Sequence, residues 1–184
     1  MSNVRSKEAL TQERLKQILS YDAETGVFTW KVNRQPGNGT RNTVGSIAGT
    51  LKARNSSHPY LLIWIDGFLY RAHRLAWFYV YGRWPAEGID HINGDPLDNR
   101  IANLRECTQQ QNNGNHKALN PLNTSGYRGV TWKRDKRKWK AYININNRQT
   151  HLGYFDSAEQ AYEAYCAAAV AHFGEFARLD VTRT

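Results

Sequence analysis

The sequence is poor in cysteine, with only Cys107 and Cys166 among its 184 residues. A tetrahedral zinc site built on these two thiols would need two histidines at a suitable spacing, and the chain contains no C-x-x-C pair. No zinc ribbon is therefore indicated. We expect Cys107 to be a buried structural thiol, and a disulfide between the two cysteines is not expected in a reducing compartment.

Long apolar runs are also missing. No stretch approaches the ~20 residues needed to span a bilayer. The first residues, which include Lys7, Glu13 and Lys16, lack the apolar core of a signal peptide. The sequence therefore predicts a protein that is not secreted, has no membrane partner and is located in the cytoplasm.

Acidic residues are too few to balance the basic ones. The chain has 16 Asp and Glu against 25 Lys and Arg, which leaves a formal charge of +9. Both parts share the excess, with +5 before residue 121 (15 minus 10) and +4 after it (10 minus 6). A chain with this balance is attracted to polyanions, although charge alone does not separate DNA, RNA and anionic membranes.

The most informative stretch is 89–113, I-D-H-I-N-G-D-P-L-D-N-R-I-A-N-L-R-E-C-T-Q-Q-Q-N-N. Asp90 and His91 stand side by side, and residues 93–96 form a turn sequence of Asn, Gly, Asp and Pro. The spacing from Ile101 predicts a short second strand, and Thr108 with the amides after it predicts the start of a helix. The unit is expected to be strand, loop, strand, helix.

Hydrolysis of a phosphodiester needs a base, a cation and donors that fix the base. His91 is the candidate base because imidazole titrates near neutral pH. Asp90 and Asn112 offer hard oxygen ligands for Mg²⁺ or Mn²⁺. Asn103 is placed to bond the far nitrogen of His91 and set its tautomer.

The order D-H-I-N-G-D, N-R-I-A-N-L-R and Q-N-N resembles the HNH (ββα-metal, His-Me finger) nucleases, and specifically the phage homing endonucleases of that class. The resemblance implies that His91 activates water, Asn103 orients it, and Asp90 and Asn112 bind one divalent metal. Asn rather than His stands at the last position. Asn113 and Asn115 are alternative ligands. A phage-encoded enzyme of this kind would act in the host cytoplasm.

Two further segments are candidates for contact with the DNA backbone. Residues 31–54 are rich in Gly, Asn and basic side chains, and the alternative is a merely solvated loop. The basic side chains are Lys31, Arg34, Arg41, Lys52 and Arg54. His73 and Arg74, at the start of an expected helix, are the other candidates, with capping or packing as the alternative for His73. A strand at 45–49 and a hairpin at 59–70, turning at Asp66-Gly67, are expected before that helix.

The carboxy-terminal part interleaves seven cations and one acid with two tryptophans between Arg128 and Lys140. Alternation along 138–145 predicts a strand with one apolar and one basic, polar face. Two further strands and a helix beginning at 156–159 complete the pattern, and Gly129 is a candidate β-bulge. A three-stranded antiparallel sheet of this kind can enter the major groove of DNA.

The segments Y-R-G-V, W-K-A-Y-I, H-L-G-Y-F-D and A-E-Q-A-Y-E-A-Y resemble the plant ethylene-response-factor (Apetala-type) DNA-binding domain. The resemblance implies that the sheet reads the groove while other basic residues hold phosphates. The DNA-binding residues predicted in this way are Arg128, Thr131, Trp132, Lys133, Arg134, Lys138, Lys140, Tyr142, Asn144, Arg148 and His151.

We therefore predict an α+β protein. A small β-sheet and helices carry a ββα-metal finger (about 86–115) within an HNH nuclease domain at 1–115; a linker follows at 116–126, and a three-stranded antiparallel sheet packs on one helix at 127–180. The predicted function is a homing endonuclease that cuts double-stranded DNA with Mg²⁺ or Mn²⁺. No obligate protein partner is evident, and cutting both strands would need a homodimer or two successive events. The alternatives are a DNA-binding regulator without catalysis, and an RNA-binding protein.

Overall fold

The computed structural model describes residues 9–33, 42–52, 59–114, 123–146 and 148–179. These residues form an α+β fold of small antiparallel sheets and helices, which confirms the predicted fold class. The chain divides into two compact units, Met1–Glu106 and Cys107–Thr184. The predicted linker lies largely outside the described residues, so the domain limits at 115 and 126 remain predictions.

The first unit begins with helix α1 and a short hairpin. Its elements are α1 (Gln12–Ile18), β1 (Leu19–Tyr21), β2 (Phe28–Trp30), β3 (Thr50–Lys52), β4 (Tyr60–Ile65), β5 (Phe68–Arg71), α2 (Ala72–Tyr81) and β6 (Gly88–His91). The hydroxyl of Thr11 accepts the N–H of Arg14 at 3.1 Å and caps α1 as predicted. Strands β3, β4 and β5 form one sheet, and β6 pairs with β7 (Leu104–Cys107).

Alternation along β4 builds the core of this unit. Ile63 and Ile65 are buried, whereas Trp64 between them is half exposed. Helices α1 and α2 add apolar side chains such as Leu15 and Leu75, which are fully buried in the same core. Each such side chain contributes about 1.5–3 kcal/mol to folding. The core thus forms a platform for the end of β6. Within the described ranges, no helix combines the length and apolar character that crossing a bilayer requires.

Two predicted strands of this unit differ in the structure. At 45–49 the chain forms only an isolated bridge between Thr29 and Ile47, and the strand follows at Thr50–Lys52. The stretch from Ile101 to Asn103 is a 3-10 turn, and β7 starts at Leu104. This turn forms because the amide N–H of Asn103 donates to the carbonyl of Arg100 at 2.9 Å.

The second unit contains the predicted three-stranded sheet packed on one helix. Its elements are α3 (Gln109–Gly114), β8 (Val130–Lys133), β9 (Lys138–Ile145), β10 (Arg148–Phe155), α4 (Ala158–Phe173) and a 3-10 turn at Gly174–Phe176. The central strand is β9. Ser157 caps α4 through the N–H of Gln160, and the small side chains of Ala161 and Ala169 are buried where α4 meets the sheet.

The predicted bulge lies elsewhere in this sheet. The register shift falls in β10 between His151 and Gly153. Gly129 instead precedes β8 with φ +70°, where its carbonyl accepts the N–H of Tyr142 at 2.8 Å. Cys107 is buried in the core of this unit, as expected, and both cysteines are free thiols.

Candidate active site at the end of strand β6

Strand β6 carries the predicted catalytic pair into the interior of the first unit. Asp90 exposes 4% of its surface and His91 exposes 7%. Because successive side chains of a strand point to opposite faces, the two residues have different neighbours. A buried polar group without a partner is costly, so the groups around each residue decide what it can do.

The loop after His91 is held together by side chains of the motif itself. Asn93 accepts the N–H of Asp95 through Oδ1 at 2.8 Å and donates from Nδ2 to Oδ2 of Asp98 at 2.7 Å. Arg100 forms an ion pair with Asp98 at 2.6 Å, and the Arg100 hydrogen bond lowers the pKa of Asp98 to about 2. The loop is therefore fixed by protein groups.

Asn103 fixes this loop rather than the imidazole. Its Nδ2 donates to Oδ1 of Asn93 at 3.0 Å and to the carbonyl of Asp98 at 2.8 Å. Its Oδ1 accepts the N–H of Asn93 at 3.0 Å. The predicted bond from Asn103 to His91 is not among these contacts, since both Nδ2 hydrogens are used within the loop. The carboxamide that the structure places at His91 belongs to Asn99, with Oδ1 3.4 Å from Nε2.

Asp90 is paired with Arg105, a residue that the motif did not single out. The Nε and Nη2 atoms of Arg105 lie 2.9 Å and 2.8 Å from Oδ2 of Asp90. The side chain of Arg105 is itself only 16% exposed. Two charge-assisted hydrogen bonds from one guanidinium anchor this oxygen of the carboxylate. The signal for this pair in the sequence was Arg105 itself, a basic residue two positions before Cys107.

The ring of His73 packs against the ring of His91. The two rings meet edge to face, with centroids 5.1 Å apart and planes at 88°. The centroid of the Tyr60 ring lies 5.4 Å from the centroid of the His73 ring. His73 is 4% exposed, so packing, and not contact with the DNA backbone, is its role. Arg74 donates from Nη1 to the carbonyl of Glu87 at 2.8 Å.

Both histidines are kept neutral by their surroundings. Burial, together with the smaller electrostatic effects of His91, Arg71 and Arg74, lowers the pKa of His73 to about 3. Burial also lowers the pKa of His91, while its hydrogen bond to Asn99 and the neighbouring Asp90 act in the opposite direction. A neutral imidazole at this position is able to accept a proton.

His73 makes the stability of the protein sensitive to acid. Its folded pKa lies below the ordinary value of ~6.5, so the unfolded chain binds a proton first. Stability is full above that value and is lost as the pH falls towards 3. We expect the His73 contribution to cost about 2 kcal/mol between about pH 7 and about pH 5. Urea unfolding of His73→Phe, which keeps a ring but cannot titrate, should show a correspondingly smaller acid effect; equal acid effects in both proteins would contradict this.

Asn99 is anchored by the first hairpin. The hydroxyl of Tyr21 donates to the carbonyl of Asn99 at 2.7 Å, and Asn99 is only 3% exposed. The turn of the hairpin approaches so closely that a Cβ at Gly26 would lie 2.5 Å from the backbone of Asn99 and Arg100. Gly26 also has φ +73°. The turn sequence at residues 22–26 was the only signal for this support.

Substituting Gly26 should therefore destabilise the first unit. Gly26→Ala combines left-handed backbone strain with a backbone clash, and we expect a loss of about 3 kcal/mol or more. Gly67→Ala is the matched control, since Gly67 has φ +95° with nothing within 4 Å of an added Cβ. It should cost only about 1–2 kcal/mol. Urea unfolding at neutral pH measures both, and equal losses would contradict the close approach.

Asn112 lies on α3 in the second unit. Its amide N–H donates to the carbonyl of Thr108 at 3.0 Å, and Thr108 starts the helix by accepting the N–H of Gln111 at 3.2 Å. The side chains of the alternative ligands Asn113 and Asn115 lie outside the described part of the chain. The choice of Asn112 as a ligand therefore remains a prediction.

The donor chemistry of Asp90 fits a hard divalent cation. In the described residues, no group of three or more His, Cys, Asp or Glu is arranged to hold a metal ion. Mg²⁺ does not require such a group, because it is commonly held by one or two carboxylates together with water and phosphate oxygens. A buried carboxylate whose position is fixed by Arg105 is a suitable first ligand of that kind.

The second unit presents most of the predicted DNA contacts on one face of its sheet. Tyr142 is registered with His151 and Lys140 with Thr131. Because the intervening side chains are buried under α4, these residues share the opposite face. The predicted residues on this open face are Thr131, Lys133, Lys138, Lys140, Tyr142, Asn144 and His151. Arg134 lies in the exposed turn between β8 and β9.

Three further predicted contact residues, Trp132, Arg148 and Arg128, lie towards the side of the sheet that α4 covers. Trp132 is registered with Trp139 on the side that α4 covers, and their rings meet 5.2 Å apart. Arg148 is registered with Ile145 on that same side. Arg128 bonds Tyr165: burial raises the pKa of that tyrosine, and the charge and hydrogen bond of Arg128 offset part of the rise. Strand alternation explains the first two placements.

The basic stretch at 31–54 is described only in part. Lys31 donates to the carbonyl of Lys16 at 2.8 Å, which ties it to α1. Lys52 is exposed at the end of β3. Arg34, Arg41 and Arg54 lie outside the described residues, so contact of this stretch with phosphates remains a prediction.

Comparison with known proteins identifies a family match and two relatives of the chain. The sequence profile of the HNH endonuclease family matches residues 70–114, which include Asp90, His91, Asn103 and Asn112. Over 90 residues the chain is 32% identical to Protein 3.8 of Escherichia phage T7, covering 49% of this chain and 73% of that protein. Over 99 residues it is 32% identical to an uncharacterized HNH endonuclease of Acanthamoeba polyphaga mimivirus, covering 53% of this chain and 50% of that protein.

No solved structure matches the chain significantly. The family match ends at residue 114, before the second sheet begins. The resemblance of residues 127–180 to ethylene-response-factor domains therefore stays a prediction.

Proposed function

This chain belongs to the HNH endonuclease family, and we propose that it is a homing-type DNA endonuclease in which His91 is the general base and one divalent cation assists. The observation that carries the proposal is the buried Asp90–His91 pair at the end of β6, inside the range that matches the family. DNA as the substrate accords with the excess of basic over acidic residues.

His91 supplies the base because its surroundings keep it neutral. Burial lowers the pKa of the imidazole, so it is ready to accept a proton at neutral pH. Water that approaches the phosphorus gives its proton to His91 as the new P–O bond forms. The bond to the leaving oxygen then breaks, and the resemblance implies products with a 5′-phosphate and a 3′-hydroxyl.

Asp90 and Asn112 would hold the cation, Mg²⁺ or Mn²⁺. When bound, such a cation offsets negative charge on the phosphate and on the leaving oxygen. The pairing of Asp90 with Asn112 is what the family resemblance implies. Arg105 anchors one oxygen of Asp90, and Asn103 holds the loop after His91 through its bond to the carbonyl of Asp98.

The open face of the second sheet is the proposed reader of double-stranded DNA. Lys140 lies at its centre, with Nζ 3.0 Å from Oε1 of Gln149 and 5.6 Å from the centroid of the Tyr142 ring. A basic face with polar side chains combines phosphate contacts with groups able to read base edges. A reader linked to the catalytic part raises the local concentration of that part on nearby DNA.

Removing charge from this face should weaken the salt dependence of DNA binding. For Lys133→Ala/Lys140→Ala, two lost phosphate contacts should reduce the slope of log affinity against log salt by about 1.8. Lys16→Ala is the control, because Nζ of Lys16 lies 5.3 Å from the centroid of the Tyr79 ring in the first unit. Fluorescence anisotropy over a salt series measures the slopes. An unchanged slope in the double variant would contradict the proposed face.

Cleavage itself is tested with supercoiled DNA and purified protein. Mg²⁺ or Mn²⁺ should convert supercoiled into nicked DNA, and a chelator should stop the reaction. One active site per chain favours nicking, whereas a double-strand break needs a dimer or two successive events. Binding without cleavage would favour a regulator, and preferential competition by single-stranded RNA would favour an RNA-binding protein.

A further inference from the structure

The orientation of the Asn99 carboxamide determines which nitrogen of His91 carries hydrogen. The Nδ2 atom of Asn99 donates to the carbonyl of Leu97 at 3.1 Å. This bond assigns the amide, so the atom that faces Nε2 of His91 at 3.4 Å is Oδ1. A carboxamide oxygen accepts hydrogen bonds and cannot donate them. A neutral His91 that bonds to this oxygen must therefore carry its hydrogen on Nε2 and donate it.

We propose that Asn99 is a positioning residue that holds neutral His91 in the Nε2–H tautomer, so that Nδ1 carries the lone pair that takes the proton from water. The proposal rests on the proposed function of His91 as the base. It assigns to Asn99 the orienting role that the family resemblance implies for Asn103.

Asn99 is able to act in this way because its own position is fixed from the backbone side. The Tyr21 hydroxyl binds its carbonyl at 2.7 Å, and the turn at Gly26 packs directly on its backbone. The side chain is also buried, with 3% of the residue exposed. An acceptor that neither moves nor meets bulk water holds its partner in one geometry.

His73 restricts the imidazole from another side. Its ring stands at 88° to that of His91 with the centroids 5.1 Å apart, an edge-to-face arrangement that aromatic pairs prefer. A flip of the His91 ring would exchange Nε2 for a carbon and lose the bond to Asn99. Packing by His73 therefore holds the plane of the ring, and the acceptor of Asn99 selects between its two flipped orientations.

The proton balance of the step is simple. Nδ1 takes one proton from the attacking water while the hydrogen on Nε2 stays directed at Oδ1 of Asn99. His91 becomes a cation with hydrogen on both nitrogens, the new P–O bond forms, and the leaving oxygen takes a proton from solvent. His91 then returns its proton to water.

The test compares wild-type protein with Asn99→Leu and Asn99→Asp. Two-bond ¹H–¹⁵N spectra under mildly alkaline conditions, where imidazoles are neutral, should show hydrogen on Nε2 of His91 in wild-type protein and slow exchange of that hydrogen with water. In Asn99→Leu the side chain keeps a similar size but has no acceptor, so the slow exchange of the Nε2 hydrogen should be lost. Single-turnover cleavage should fall on the order of 10²-fold with unchanged DNA affinity. Asn99→Asp keeps an acceptor and should retain the protected Nε2–H signal.

Several outcomes would overturn this assignment. Hydrogen on Nδ1 in the wild-type spectrum would do so, as would a folded Asn99→Leu protein with wild-type exchange and cleavage. Thermal melting establishes that each variant is folded, and loss of the protected signal in Asn99→Asp would also count against the assignment. If wild-type protein shows the Nε2–H signal but cuts no DNA, the proposed function fails and the tautomer assignment stands.

Discussion

Replacing His91 with alanine is expected to lower single-turnover DNA cleavage by about 10²–10⁴-fold, the usual contribution of a general base. DNA affinity should change little, because His91 exposes only 7% of its surface and offers little area to DNA before reaction. Quenched-flow or gel assays at saturating enzyme measure the rate of cleavage directly.

Two controls make the His91 result specific. His172→Ala removes a histidine that lies on α4 and bonds Gln110, and it should retain the wild-type cleavage rate. Added imidazole should partly restore His91→Ala, because the substitution leaves a space of the size of the missing ring. A cleavage rate in His91→Ala equal to that of wild-type protein would exclude His91 as the base.

The second large effect concerns Asp90 and its two roles. Asp90→Asn removes the charge that a cation needs, so cleavage should fall by about 10²-fold or more, as expected when several kcal/mol of charge stabilisation are lost. The rise in melting temperature that Mg²⁺ gives wild-type protein should also disappear. Differential scanning fluorimetry with and without Mg²⁺ measures this second effect independently of cleavage.

Arg105→Gln separates the ligand role of Asp90 from its ion pair. Without Arg105 the buried carboxylate is uncompensated, and breaking such a pair costs about 3–5 kcal/mol. A bound cation compensates the same charge, so Mg²⁺ should raise the melting temperature of Arg105→Gln by more than that of wild-type protein. A smaller rise than in wild-type protein would indicate that Asp90 does not face the cation.

Local sequence patterns predicted the architecture because they act over short distances. The Asp66-Gly67 turn, the Thr11 and Ser157 caps and the alternation along β9 each determine the structure within a few residues. They fixed the three-stranded sheet with α4 and the order strand, loop, strand, helix around His91. The 3-10 turn at 101–103 was missed because the side chain of Asn103 holds the loop together through hydrogen bonds to Asn93 and Asp98, which no local pattern reveals.

The surroundings of His91 were less predictable because they come from distant parts of the chain. Tyr21, Gly26 and Tyr60 are brought to Asn99 and His73 by tertiary packing, and no spacing in the sequence reveals this. Arg105 lies within the motif, but only the pairing of β7 with β6 shows that its side chain faces Asp90. Sequence therefore predicted Asp90 and His91 as the reacting groups and missed the groups that hold them.

Cutting of DNA through the site at the end of β6 is tested most directly by mapping cleavage ends on genomic DNA in the presence of Mg²⁺, with His91→Ala as the parallel sample. We expect breaks at a restricted set of positions, with 5′-phosphate and 3′-hydroxyl ends, that are absent from the variant. Folded wild-type protein that binds this DNA but leaves no breaks with Mg²⁺ or Mn²⁺, or identical breaks from both proteins, would contradict this expectation.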